Sequence, residues 1–200
     1  MTALSDRYGA AVSAIDARNA EDPHTLVIDG EVRPKELAHA ELMTEWVQRL
    51  DPDATEAQLL AARAHHVERW VLERSGYPEG RAGYLRWRRD LSRHHQDVAA
   101  QLMAEAGYDD ATIETVTTII GKKGLGSDPA VQAHEDALCL VFLTTQFAPV
   151  AERLGRDKTV DVVAKTVRKM SPAGIAAAAA LDLDDGLRSI LLDAVEVASS

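Results

Sequence analysis

The sequence predicts an all-α fold, one helical domain carrying a single short β-hairpin. Three observations carry that expectation. Apolar residues recur at helical spacing along most of the chain. One stretch only, around an Asp-Gly dipeptide, is patterned as a pair of strands. The 200 residues contain no internal repeat and no linker-like segment, and they suffice for one sizeable core.

The elements follow in order. Tyr8, Ala11, Val12, Ile15 and Asn19 place one face on a helix over residues 5 to 19, ended by Glu21-Asp22-Pro23. Residues 25 to 28 and 31 to 33 are short strands joined at Asp29-Gly30. Pro34 suits a helix start, and Leu37, Met43, Trp46, Val47 and Leu50 carry that helix to Asp51-Pro52. Thr55 is the expected N-cap of a helix running through His65-His66 to Val71. After a Gly/Pro-rich loop at 75 to 83, a long helix spans about 84 to 106 and stops at Gly107. A helix over 109 to 120 leads into the basic loop at 121 to 126. Asp128-Pro129 opens a helix that is most apolar between Ala137 and Phe147. Helices over 158 to 169 and 183 to 198 close the chain, separated by an Ala-rich stretch suited to close packing.

The formal net charge of −10 disfavours non-specific coating of nucleic acid or anionic membrane, while a local basic patch can still hold a phosphate. No stretch approaches the roughly 18 apolar residues of a membrane span, and no signal-like segment opens the chain. Cys139, the single cysteine, lies in an apolar run and cannot form an internal disulfide. A reducing, cytoplasmic compartment is the expectation.

The histidines are the candidate chemistry. His65-His66 and His94-His95 are doublets, His39 precedes them, and His134-Glu135-Asp136 follows. Imidazole and carboxylate ligate Mn, Fe and Zn, and single ligands on successive helices can converge inside a bundle. Neighbouring helical residues point about 100° apart, so one histidine of each doublet should face inward. Leu59, Ala62 and His66 share a face, as do Leu91, His95, Val98 and Leu102, which selects His66 and His95 over His65 and His94. Asp136 shares a stripe with Cys139, Leu140 and Leu143. The expected metal ligands are therefore His39, His66, His95 and Asp136. His134 and Glu135 read as solvated residues of a helix start, although Glu135, like Glu68, is also a candidate base. His24 has no role in this reading.

Arg81, Arg86, Arg88, Arg89 and Arg93 crowd the start of the long helix, Arg86, Arg89 and Arg93 lying on one side at i, i+3 and i+7, and guanidinium forks match phosphate or carboxylate. Those three are candidate substrate contacts, with Lys122 in the Gly-rich loop as a further one. The alternative for the arginines is pairing with Asp90, Glu73 and Glu79. Trp70, Trp87 and Tyr84 read as core or pocket wall. Asn19, Glu21 and Asp22 read as helix caps or pocket residues.

The order of these segments resembles the HD-domain superfamily of metal-dependent phosphohydrolases. The resemblance runs through 38 to 43, 59 to 67, 94 to 102 and 135 to 138, with His66 standing where that superfamily has Asp. More closely, the whole chain resembles domain-of-unknown-function family 4202. The carrying residues are Ile15-Asp16-Ala17-Arg18-Asn19-Ala20-Glu21-Asp22-Pro23, Arg33-Pro34-Lys35-Glu36-Leu37, Gly83-Tyr84-Leu85-Arg86-Trp87-Arg88 and Arg168-Lys169-Met170-Ser171-Pro172. The first resemblance implies an HD-like helical bundle and hydrolysis of a phosphate ester or nucleotide, with iron-dependent oxidation as a variant. The second implies no activity. The competing expectation is a non-catalytic module that binds an anionic metabolite or a protein partner.

Overall fold

The computed structural model describes residues 4–28 and 30–199. It is 73% helical, with ten α-helices and a two-stranded antiparallel hairpin among the described residues. The chain divides into two compact units, the boundary falling between Lys123 and Gly124 in the basic loop.

In the first unit, α1 (Asp6–Asn19) starts at Ser5, whose hydroxyl accepts from the Tyr8 N–H. Strands β1 (Thr25–Ile28) and β2 (Glu31–Pro34) pair with Leu26 opposite Arg33 and Val27 opposite Val32. Of the expected turn, Asp29 lies outside the described residues, and Gly30 has φ 82°. Asp22 fastens the hairpin to α2 (Lys35–Leu50): its carboxylate accepts from the His24 N–H at 2.9 Å and the Glu36 N–H at 3.0 Å. It thereby serves as a remote cap for a helix that has no side-chain cap of its own.

Helix α3 (Glu56–Ala64) opens with a capping box between Thr55 and Gln58. It ends at Ala64, seven residues short of Val71, where the apolar pattern was expected to carry it. Residues 65 to 71 descend instead through i→i+3 bonds, including Val67 N–H to Ala64 O and Arg69 N–H to His66 O. Glu68 sits there in the left-handed region at φ 52°. Two 3₁₀ turns, Arg69–Val71 and Arg74–Gly76, lead to α4 (Gly80–Glu105). Gly83 is obligatory in this approach, since a Cβ there would lie 1.8 Å from the Pro78 carbonyl oxygen. Helix α5 (Asp110–Ile120) is capped by Asp109 and packs on α3 and α4. Ile15, Met43, Leu60, Leu91, Met103 and Ile119 form the core of this unit.

The second unit contains α6 (Pro129–Thr145), α7 (Phe147–Leu154), α8 (Arg156–Val167), α9 (Pro172–Ala179) and α10 (Asp185–Ser199). Leu140, Leu143, Phe147, Val163 and Leu191 are buried there, as is Cys139. No single helix among the described residues is long and apolar enough to cross a membrane.

Candidate metal and anion site

The early end of α3 creates the site. Had the helix continued, His65 and His66 would have diverged by about 100°. Because the backbone tightens after Ala64, both rings turn toward His39 on α2. His39 stacks on His66 with ring centroids 4.4 Å apart, and His65 lies 4.2 Å from His66. One potential ligand nitrogen from each of His39, His65 and His66 falls within 4.8 Å of the others. His95, buried on α4 as its stripe with Leu91 and Leu102 requires, stands 5.6 Å from the His66 ring.

Hydrogen bonds orient these rings. His95 Nδ1 lies 2.8 Å from the Val67 carbonyl, which can only accept. The proton is therefore on Nδ1, and Nε2 presents a lone pair that is buried with no hydrogen-bond partner in the chain. His39 Nε2 is likewise buried and unpartnered. His66 Nδ1 faces Glu36 Oε2 at 3.2 Å, while its Nε2 lies 3.3 Å from Arg69 Nη1, which donates. Arg69 also reaches Glu36 Oε1 at 3.8 Å.

The electrostatics follow from burial. Burial, reinforced by Arg69 and Lys35, lowers His39 to about 3. Burial also takes His95 to about 3, against the pull of the Val67 carbonyl. His66 is held well below its usual value by burial and then by His65 and His39. All three are neutral at pH 7, the state in which imidazole ligates a metal. Burial raises the Glu36 carboxyl to about 7, with Arg69 and Lys35 acting the other way.

A cavity of about 90 Å³ opens against His65, His66 and His95. Its remaining wall includes Arg69, Arg88, Ser92 and Lys122. The volume corresponds to a few waters or one phosphate-sized group, at about 30 Å³ per water. Lys122 adopts φ 56°, so two non-glycine residues with left-handed backbone, Glu68 and Lys122, flank the histidines.

Three of the expected ligands, His39, His66 and His95, come together in the first unit. His65, second choice on helical phase, joins them because the helix on which that phase was counted has already ended. Asp136 and Glu135 belong to the second unit. There Asp136 accepts from the Ser171 N–H at 2.8 Å, the Ser171 hydroxyl and Gln132 Nε2 at 3.0 Å, which ties α6 to the start of α9. Gly174 permits that contact, since a Cβ would meet Asp136 Cγ at 2.6 Å. Glu135 lies 3.7 Å from Lys169 Nζ. His134 and Glu135, expected to be solvated, are both buried: the apolar packing of α6 begins earlier along the helix than Ala137. Glu68 is paired with Arg18 at 2.7 Å and lies 3.5 Å from His94.

Of the arginines, Arg86, Arg89 and Arg93 are on the exposed side of α4, and Arg86 and Arg89 approach Asp90. The guanidinium groups lining the cavity are those of Arg69 and Arg88; Lys122 lines it as expected. Sequence reasoning missed Glu36 and Arg69, and set Arg88, a member of the arginine cluster, behind the stripe of Arg86, Arg89 and Arg93. Glu36 carried a usable signal, a carboxylate three residues before His39 on the same helix face.

The family model for "Domain of unknown function (DUF4202)" matches residues 9–191. The chain belongs to the DUF4202 family. No curated protein and no solved structure matches it. The matched span of this DUF4202 protein includes every histidine and cation of the cavity.

Proposed function

We propose that this protein is a metal-dependent hydrolase of a phosphate ester. The observation that carries the reading is the convergence of His39, His65 and His66 nitrogens beside a small cavity with a cationic wall. The donor set fits a borderline divalent ion such as Mn, Fe or Zn: clustered imidazoles, with His39 Nε2 and the neighbouring His95 Nε2 buried without a hydrogen-bond partner. His39, His65 and His66 would hold it, with His95 beside them. A divalent ion held there would supply Lewis-acid chemistry, polarising a phosphoryl oxygen and lowering the pKa of a water.

The chain's own groups supply the rest. Glu36 places a carboxyl oxygen 3.2 Å from His66 Nδ1 and so bears on that ring electrostatically. The Val67 carbonyl accepts from His95 Nδ1 and fixes that ring's tautomer. Arg69, Arg88 and Lys122 offer three positive charges to a phosphate in the cavity. The expected resemblance to HD-domain phosphohydrolases supports the same chemistry.

Elemental analysis of protein purified without a His tag tests the reading. About one equivalent of a transition metal is expected, falling at least tenfold in His39→Ala and His65→Ala, with hydrolysis of phosphomonoesters lost in parallel. Less than about a tenth of an equivalent, with no binding of added manganese or iron, would overturn it. One contact favours a second reading, a non-catalytic module binding an anionic metabolite: Arg69 Nη1 engages His66 Nε2 at 3.3 Å. In that case a phosphate-induced melting shift survives His39→Ala and disappears in Arg88→Ala.

A further inference from the structure

A second cavity, of about 290 Å³, shares the Arg69 side chain with the first. It lies between the end of the hairpin, the start of α2, the two 3₁₀ turns and α4. His24, Lys35, Arg69, Arg74, Trp70 and Trp87 form much of its wall. Neither indole is fully buried. Trp87 is fixed in place, since its Nε1–H donates to the Leu72 carbonyl at 2.8 Å and Arg69 lies over its ring, 5.5 Å from the centroid.

The charge of this wall runs against that of the chain. Three permanent cations, Lys35, Arg69 and Arg74, face two carboxylates, Glu36 and Glu73, in a protein of net charge −10. Both carboxyl groups are already engaged: Glu36 by His66 and Arg69, Glu73 by the Ser75 hydroxyl. Arg74 donates to the Tyr77 carbonyl from Nη1, which leaves the other edge of its planar fork for a ligand. Rigid indole beside guanidinium and ammonium is a combination that recognises a flat ring and a negative charge together. The volume is at the lower end for small-molecule sites and fits one ring with one substituent.

We propose that this second cavity binds an aromatic ring bearing a single anionic group, the ring against the Trp70 and Trp87 indoles and the anion on Lys35, Arg69 and Arg74. Arg69 links the two cavities.

The site is independent of any metal and is tested in chelator-treated protein by calorimetry with phenyl phosphate and benzoate, which separate a phosphate from a carboxylate as the anion. At least one of the two should bind saturably, and phenol and inorganic phosphate, the separated halves and measured in the Arg88→Gln background that weakens the first cavity, at least about tenfold more weakly. Lys35→Gln and Arg74→Gln should each weaken binding about fivefold. Arg88→Gln, which alters only the first cavity, should leave it within about twofold. Circular dichroism melts establish that the variants are folded. Lys35→Gln leaves the Arg74–Tyr77 contact intact, so one variant remains informative if the other unfolds. No saturable binding of either probe, equal binding of inorganic phosphate, or a loss in Arg88→Gln matching that in Lys35→Gln would overturn the proposal. None of these results depends on whether the histidines hold a metal.

Discussion

The histidine cluster of the first unit and the Asp136 bridge of the second are both buried polar sites, and they differ in what their polar atoms touch. Asp136 accepts three hydrogen bonds and holds α9 to α6. His39 and His95 each keep one nitrogen buried without a hydrogen-bond partner in the chain. Buried polar groups are nearly always paired, and an unpaired one costs about 1–3 kcal/mol. A carboxylate saturated by its own fold is architecture. Buried nitrogens that the fold leaves unsatisfied are the contrast on which the proposed metal reading rests.

Mutation at the two sites should therefore give opposite signatures. The largest effect expected is from Asp136→Ala, which strands the Ser171 N–H, leaves Gln132 Nε2 only its bond to the Lys169 carbonyl and should cost about 3 kcal/mol in a denaturant melt, unchanged by chelator or metal. Gly174→Ala should destabilise by a similar route, because its Cβ would overlap Asp136. A near-neutral Asp136→Ala would erase the contrast between the sites.

Next in size, His39→Ala should change the stability of metal-free protein by less than about 1.5 kcal/mol, the lost packing of the ring being offset by removal of an unpaired buried nitrogen. In metal-loaded protein the same substitution should remove the metal-dependent part of the melting temperature entirely. A loss as large in metal-free protein as in loaded protein would make His39 a structural residue. Glu36→Gln sharpens the comparison further. It keeps the shape but removes the ionisable carboxyl 3.2 Å from His66 Nδ1, and manganese affinity should fall about tenfold by calorimetry.

The smallest effect lies at a third polar set, where Ser5 and Tyr108 meet Glu56. Burial pushes the Glu56 carboxyl up. The Ser5 N–H at 2.6 Å, the Tyr108 hydroxyl at 2.8 Å and the Ser5 hydroxyl outweigh it and hold the group below its usual range. A depressed carboxyl contributes stability above its unfolded value, about 4.3, and that contribution is lost as pH falls through the folded value. Urea melts of Glu56→Gln should therefore show a deficit at pH 7, about half a kcal/mol once solvent screening is allowed for, that shrinks below about pH 4. A deficit independent of pH would assign the effect to packing.

Much of the fold was legible because the signals are local. Thr55 and Asp128 cap the helices expected of them, Asp-Gly marks the hairpin, and apolar spacing locates the long helices within a few residues. His95 could be placed inward because α4 is uninterrupted there, so its phase relative to Leu91 and Leu102 is reliable. The same rule misjudged His65, since α3 ends at Ala64 with no glycine or proline to announce it. The residue in the left-handed region is Glu68, whose type carries no such signal. Arg69 and Arg88 were passed over for Arg86, Arg89 and Arg93 because a regular arginine stripe marks a face of a helix without saying whether that face meets water.

Residue order alone thus settled the helical class, the hairpin, the caps and the family, all of which depend on neighbours within a turn or two. Which histidine of a doublet faces the cavity, which arginines line it and which buried carboxylate is already satisfied depended on contacts between distant segments. Helical phase propagates only as far as the helix does, and where a helix stops without a capping residue, packing sets the direction of every side chain that follows.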